Sequence, residues 1–395
     1  MALKIKFGVL LTQCGEPIEN GELIIEEGDI VAISSSPTER EAEETLDLSD
    51  HLLMPGFINA HSHLGLTALE KKLSPAKTFA SWIGDLIPLN AALSDEERIR
   101  GIRMGADEMK ASGVTGLADY VADPALLKSI VDLGFRSILF LETIGFQEDR
   151  AEVIADEVEA ILKTHATKCN LGIAPHAPYS VSAKLWQYLD QLAKKYECLL
   201  STHLAETDEE VQFIEKGGGP LVDLLKERQA FDMNWRVPGT TPTRYLKSLD
   251  VLSETVAVHC NFIDDDMDAV QAAVFCPKST HWFGRTHILP VRKMLDAGIR
   301  VALGTDSLAS NDSLNYLEEI RMADKLLPGV SRKEILMMAT CFGGEILRLP
   351  CGKIESGQKA DIIGFRIASQ SKDWYDLPFE RQRKKVDFYM LDGKF

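Results

Sequence analysis

The 395-residue chain is short of positive charge, with 43 Lys and Arg against 60 Asp and Glu and a formal net charge of −17. That balance argues against partners held through phosphates, whether nucleic acid or an anionic membrane surface. No apolar run reaches about 18 residues and no charged-then-apolar leader is present, so neither a membrane span nor export is expected. The seven cysteines fall at irregular spacing and give no disulfide framework. They read as thiols of a reducing cytoplasm. The run Gly217-Gly218-Gly219-Pro220 lacks a following Lys-Ser/Thr, which rules out a phosphate loop. It lies in an irregular stretch, about 215 to 250, that reads as an insertion lidding or flanking the fold.

What is present is 45% apolar residues and 26% charged, enough for a large core. Short runs rich in Val, Ile and Leu recur, several ending in a reactive polar residue. One is the run from Leu52 into His61-Ser62-His63; the others are Thr115 to Tyr120, Ser137 to Thr143, Asn170 to His176, Cys198 to Glu206, Thr255 to Asn261, Ala272 to Ser279 and Arg300 to Ser307. Helical patterns separate most of them: Asp95 to Ser112, Pro124 to Leu133, Ala151 to His165, Ala183 to Tyr196. Eight strand–helix units in about 300 residues predict an α/β chain with a (β/α)8 barrel. Residues 1–54 and 351–395 carry short alternating strands instead, such as Leu23-Ile24-Ile25 and Ile362-Ile363. They are expected to meet in a small β-sandwich, leaving 55–350 as the barrel.

In such a barrel the strand ends converge at one mouth. His61 and His63, two apart on a strand, project to one face and can hold one metal ion. His203 follows the apolar Leu199-Leu200 and offers a third nitrogen. Asp306 ends the apolar Val301-Ala302-Leu303, where a carboxylate needs a cation or hydrogen bonds. Three nitrogens and a carboxylate suit one divalent transition metal, zinc first, with iron and manganese as alternatives, and suit Mg²⁺ or Ca²⁺ poorly. Glu206, His259 and His176 reach the same mouth. Cys260, next to His259, is expected to face away. His51, His165, His281 and His287 read as surface or packing residues, although His281 and Trp282 follow strand seven closely enough to reach a ligand.

Met54-Pro55-Gly56-Phe57-Ile58-Asn59-Ala60-His61-Ser62-His63, Pro175-His176-Ala177-Pro178-Tyr179-Ser180, Thr202-His203-Leu204-Ala205-Glu206, His259-Cys260, Cys276-Pro277-Lys278-Ser279 and Gly304-Thr305-Asp306-Ser307 together resemble the amidohydrolase superfamily. The closest likeness is to its branch of adenosine, S-adenosylhomocysteine, methylthioadenosine and aminodeoxyfutalosine deaminases and triazine chlorohydrolases. The resemblance implies that His61, His63, His203 and Asp306 bind one metal and that Asp306 doubles as a base. It further implies that Glu206 shuttles a proton, His259 assists the attacking water and His176 contacts substrate. Strand four has no lysine where binuclear members carry a carboxylated bridge, so a single metal is implied. The expected reaction is hydrolytic deamination of an amino-substituted N-heterocycle, an adenine nucleoside derivative above all, with a homodimer compatible. Opening of a cyclic amide, C–Cl hydrolysis of a triazine, guanine or pterin hydrolysis and a non-catalytic scaffold are the alternatives. The unrelated zinc nucleobase deaminases need H-x-E with P-C-x-x-C, which is absent.

Two departures fall on the substrate side. Where nucleoside deaminases of this branch carry an acid after the Trp-containing segment, the chain runs Trp82 to Pro88 and then Leu89-Asn90. Strand seven, usually ending Ser-Asn, reads Ser279-Thr280-His281. Trp82, Asn90, His176 and His281 are therefore the expected substrate contacts.

Overall fold

The computed structural model describes residues 2–38, 40–165, 167–367 and 373–395. Four strands open the chain: β1 (Ala2–Leu10), β2 (Ile18–Glu26), β3 (Asp29–Ser34) and β4 (Glu44–Pro55). Eight parallel strands follow: β5 (Phe57–Ser62), β6 (Val114–Val121), β7 (Arg136–Thr143), β8 (Leu171–Pro175), β9 (Leu200–Leu204), β10 (Thr255–His259), β11 (Ala272–Phe275) and β12 (Arg300–Leu303). The last two are β13 (Ile362–Arg366) and β14 (Phe388–Met390).

The strands of both termini join in one six-stranded sheet, ordered β14-β13-β4-β1-β2-β3. One apolar run of the sequence is shared between this sheet and the barrel. Leu52 to Pro55 pair with β13, while Phe57 and Ile58 pair with β6. The chain passes from one sheet to the other at Gly56, where a Cβ would stand 2.1 Å from the Thr115 hydroxyl, so only glycine fits the crossing.

In the barrel sheet each strand pairs with its sequence neighbours, from β5 to β12. The ends approach through a bridge between Ser62 and Asp306, with Thr305 N–H and Asp306 N–H donating to His61 O at 3.0 and 3.1 Å. Ile58, Phe140, Ala174, Val258, Val274 and Ala302 belong to an apolar cluster inside the ring. A larger cluster joins the strands to the outer helices, with Trp186, Phe213 and Leu317 fully buried in it. This second layer is what keeps the strand ends fixed.

Helices Ala151–His165 and Ala183–Tyr196 span the residues their periodicity predicts, and Asp95–Ala111 starts at a capping box of Ser94 with Glu97. The Pro124–Leu133 pattern shortens to a 3₁₀ turn and a five-residue helix, Leu127–Val131. The stretch 215–250 is more regular than its glycines suggest. It contains helices Pro220–Glu227 and Pro242–Ser248, each with proline in its first turn, where the missing N–H costs nothing. Pro220–Glu227 packs against helix Phe79–Ala91 and, with it, walls the barrel mouth. Among the described residues no helix is long and apolar enough to cross a membrane.

Candidate metal centre and active site

His61 and His63 stand at the end of β5, in a segment whose register with β6 shifts between Asn59 and Ser62. His203 lies on β9, His259 ends β10 and Asp306 follows β12. The five side chains converge. His61 Nε2 and His63 Nε2 lie 3.6 and 3.8 Å from the same Asp306 oxygen, Oδ1. The His203 ring centroid is 5.0 Å from that of His61 and 5.5 Å from that of His63. Ligand atoms of His61, His63 and Asp306 fall within 4.8 Å of one another, as do those of His61, His203 and His259.

Backbone strain marks this mouth. Ala205, His259, Cys260 and Asp306 all adopt positive φ, between 48° and 70°. Non-glycine residues hold that conformation only where surrounding contacts over-determine it. At Ala205 and Glu206 the contact is visible: both N–H groups donate to the buried Glu210 carboxylate, each at 2.9 Å. Asn261 Nδ2 donates to Glu206 O at 3.1 Å.

The donor set fits a cation. His61 is fully buried and, among the described residues, neither ring nitrogen has a hydrogen-bond partner, an arrangement costly unless another ligand takes a lone pair. Burial lowers the pKa of His61, and of His63 and His176 more strongly, so these imidazoles are neutral and can donate lone pairs. His203 Nδ1 lies 2.8 Å from His176 O; since a carbonyl only accepts, the proton sits on Nδ1 and Nε2 is left free. Asp306 Oδ2 accepts from Ser279 Oγ at 2.7 Å and Ser310 Oγ at 2.8 Å, which leaves Oδ1 for the histidines. Burial is the largest single influence and opposes charge on this carboxyl, but the contact with His61 and the fields of His259 and His63 together overcome it and keep the group well below the usual carboxylate range.

Glu206 is 6% exposed and sits 3.6 Å from His259 Nε2 through Oε1. Its neighbours divide the structural work. Glu209 accepts from Phe79 N–H at 2.5 Å and Ala80 N–H at 2.9 Å and so fixes the start of helix Phe79–Ala91. Glu210 holds the loop of Glu206 itself.

A cavity of about 560 Å³ opens onto these groups, lined by His63, His176, His203, Glu206, His259 and Asp306 at its floor. Trp82 lines it through its ring, its Nε1–H donating to Ala309 O at 3.1 Å. Asn90 reaches the outer wall, but its Oδ1 accepts from Arg98 Nη1 at 2.5 Å. His176 Nδ1 meets Ser180 Oγ at 2.7 Å. His281 is not among the lining residues. Helix Pro277–Trp282 has already begun, and its turn carries His281 to solvent while Ser279 faces Asp306. Phe283, two residues on, lines the cavity in its stead. Cys260 is buried in the layer between strands and helices, away from the ring interior.

Sequence reasoning passed over three acidic or basic groups. Glu142, next to last in β7, and Asp119, near the end of β6, both line the cavity. Burial raises the pKa of Glu142 and pushes that of Asp119 up to about 7, although Asp119 accepts from Leu64 N–H and Ser62 Oγ. An acid ending an apolar strand was the signal that exposed Asp306, and it applies equally to both. The third, Arg285, has no such local mark.

The family model of the amidohydrolase family matches residues 52–395. A 5-methylthioadenosine/S-adenosylhomocysteine deaminase of Pyrococcus furiosus is 30% identical over 378 residues, covering 91% of this chain and 85% of that protein. A 5'-deoxyadenosine deaminase of Methanothermobacter thermautotrophicus is 27% identical, covering 88% and 81%. In three dimensions the chain superimposes on a zinc-containing adenosine deaminase from Xanthomonas campestris with a TM-score of 0.83, 22% identity and coverage of 99% and 92%.

Proposed function

The chain belongs to the amidohydrolase family, and we propose that it is a metal-dependent deaminase of an amino-substituted N-heterocycle, an adenine nucleoside derivative. The observation that carries this reading is the meeting of His61, His63, His203 and Asp306 with Glu206 and His259 at the barrel mouth, all but the buried His61 lining one cavity. The names of its relatives, which deaminate adenine nucleosides, point to the same substrate class.

His61, His63, His203 and Asp306 would hold one divalent metal, zinc by its fit to three nitrogens and one carboxylate. Such an ion lowers the pKa of a water towards neutrality. Asp306, kept ionised by its surroundings, takes the proton of the attacking water. Glu206 gives a proton to the ring nitrogen beside the carbon under attack, which lowers that carbon's electron density. His259 hydrogen-bonds to the oxygen on which charge develops. A C–O bond forms, the C–N bond breaks, and the amino group leaves as ammonia after receiving a proton from the same relay. Trp82, His176 and Asn90 contact the substrate. In this reading residues 55–350 form the catalytic domain, while 1–54 and 351–395 brace it. Seven free cysteines suit a cytoplasmic setting.

The test is metal analysis of purified protein together with ammonia release from adenosine, 5′-methylthioadenosine, S-adenosylhomocysteine, 5′-deoxyadenosine, guanine and a chlorotriazine. Near-stoichiometric zinc and release from at least one adenine nucleoside are expected. Chloride release alone would move the chain to another hydrolytic activity, and a metal-free active protein would end the reading.

A further inference from the structure

Arg285 follows helix Pro277–Trp282 and turns back over the barrel mouth, where its Nη2 donates to Glu206 Oε1 at 2.5 Å. The two side chains are 10% and 6% exposed. The guanidinium lies over the Phe283 ring at 4.4 Å and within 5.8 Å of the Phe79 ring centroid. Both rings line the cavity, whereas Arg285 does not, so the guanidinium stands behind Glu206 relative to the substrate space. Its Nη1 is buried without a hydrogen-bond partner among the described residues. A mostly buried cation with an unsatisfied donor is costly unless a charge-assisted contact offsets it. That contact is Glu206. Of the glutamate's two oxygens, Oε1 carries the bond to Arg285, and Oε2 makes no hydrogen bond among the described residues.

We propose that Arg285 is a positioning residue of the reaction, clamping Glu206 through Oε1 so that Oε2 alone is presented to the substrate's ring nitrogen. This rests on the deaminase reading above. The clamp is built from three separate parts of the chain. Phe79 is anchored by Glu209, and Phe283 and Arg285 come from the segment after β11. A flat guanidinium stacks on the Phe283 ring, beside Phe79, while one of its N–H groups reaches the carboxylate, which an ammonium cannot do, so Lys is a poor replacement.

The experiment is a double-mutant cycle on the zinc-loaded enzyme with 5′-methylthioadenosine, using Arg285→Met, Glu206→Gln and both together. Arg285→Met should retain metal, keep KM within about 3-fold and lower kcat by about 10- to 100-fold, as misplacing a catalytic group does. In the Glu206→Gln background the same change should add less than about 2-fold, because its only route of action is gone. Arg285→Lys should recover little of the loss, and added guanidinium should restore part of it in Arg285→Ala. Independent, multiplicative effects, or loss confined to KM, would overturn the proposal. If the unaltered enzyme releases no ammonia from any adenine nucleoside of the panel above, the deaminase reading falls by itself. A crystal structure of Arg285→Met then still decides the clamp: it stands if the Glu206 carboxylate swings away and fails if it stays in place.

Discussion

Glu142 Oε1 lies 3.8 Å from His63 Nδ1, while Nε2 of the same ring faces Asp306 at 3.8 Å. The imidazole is thus placed between a carboxyl on β7 and the candidate metal-binding cluster. A ligating histidine commonly donates its second N–H to such a group, which fixes the tautomer and raises basicity.

Removing that carboxyl should weaken metal binding. Glu142→Leu is expected to lose about 10- to 100-fold in zinc affinity, with Glu142→Gln affected less. Competition against a graded series of chelators measures it, and equal affinity in the Leu variant would show that the carboxyl does not support His63.

Asp306→Ala should lower both bound metal and turnover, since it removes the one carboxylate shared by His61 and His63. Cys260→Ser, in the layer behind the strands, should leave both nearly unchanged. Elemental analysis beside an ammonia assay separates the two, and a fully metallated Ala variant would contradict the ligand set.

Glu206→Gln preserves size and hydrogen bonding but cannot carry a proton. It should keep its metal and lose on the order of 10²-fold or more in turnover. Loss of metal with modest loss of rate would make Glu206 a ligand instead of an acid.

Asn90 can no longer be treated as a free replacement for an acid, because Arg98 already occupies its acceptor. Asn90→Glu alone should form an ion pair with Arg98 and leave adenosine turnover little changed. Asn90→Glu with Arg98→Gln frees the carboxylate for ribose hydroxyls and should raise kcat/KM for adenosine above that of either single variant. Improvement in Asn90→Glu alone would mean that Arg98 does not hold the side chain in solution.

Glu319 has no exposed surface, accepts from Lys278 N–H at 3.0 Å and Asn311 Nδ2 at 2.9 Å, and is pushed by burial from its ordinary 4.5 to about 8. Between those values the folded chain holds a proton that the unfolded chain has released. Stability from this group is therefore full below pH 4.5 and is lost as pH rises through about 8. Glu210, also raised to about 8, acts in the same direction. Thermal unfolding followed from about pH 5 to 9 should show Tm falling with pH, less steeply in Glu319→Gln. An unchanged slope in that variant would remove Glu319 as the cause.

The barrel was legible in the alternation of apolar strands with helical segments, and the candidate ligands in the polar residues that end those strands. Parallel strands buried on both faces must be apolar throughout, and a metal needs several donors at one end of them. His61, His63, His203 and Asp306 therefore stand out against Val, Ile and Leu wherever each strand stops. Asp119 and Glu142 carry the same local mark. What surrounds these residues follows from packing between segments far apart in the chain. Whether His281 faces the cavity depends on where a helix turn begins; whether Asn90 is free depends on Arg98 eight residues away; and Glu206 is held by an arginine 79 residues later in the chain. Burial patterns repeat locally and can be read along the chain. Partners across a barrel mouth are chosen by packing, and a guanidinium stacked over Phe283 beside Phe79 leaves no trace in the periodicity of either segment.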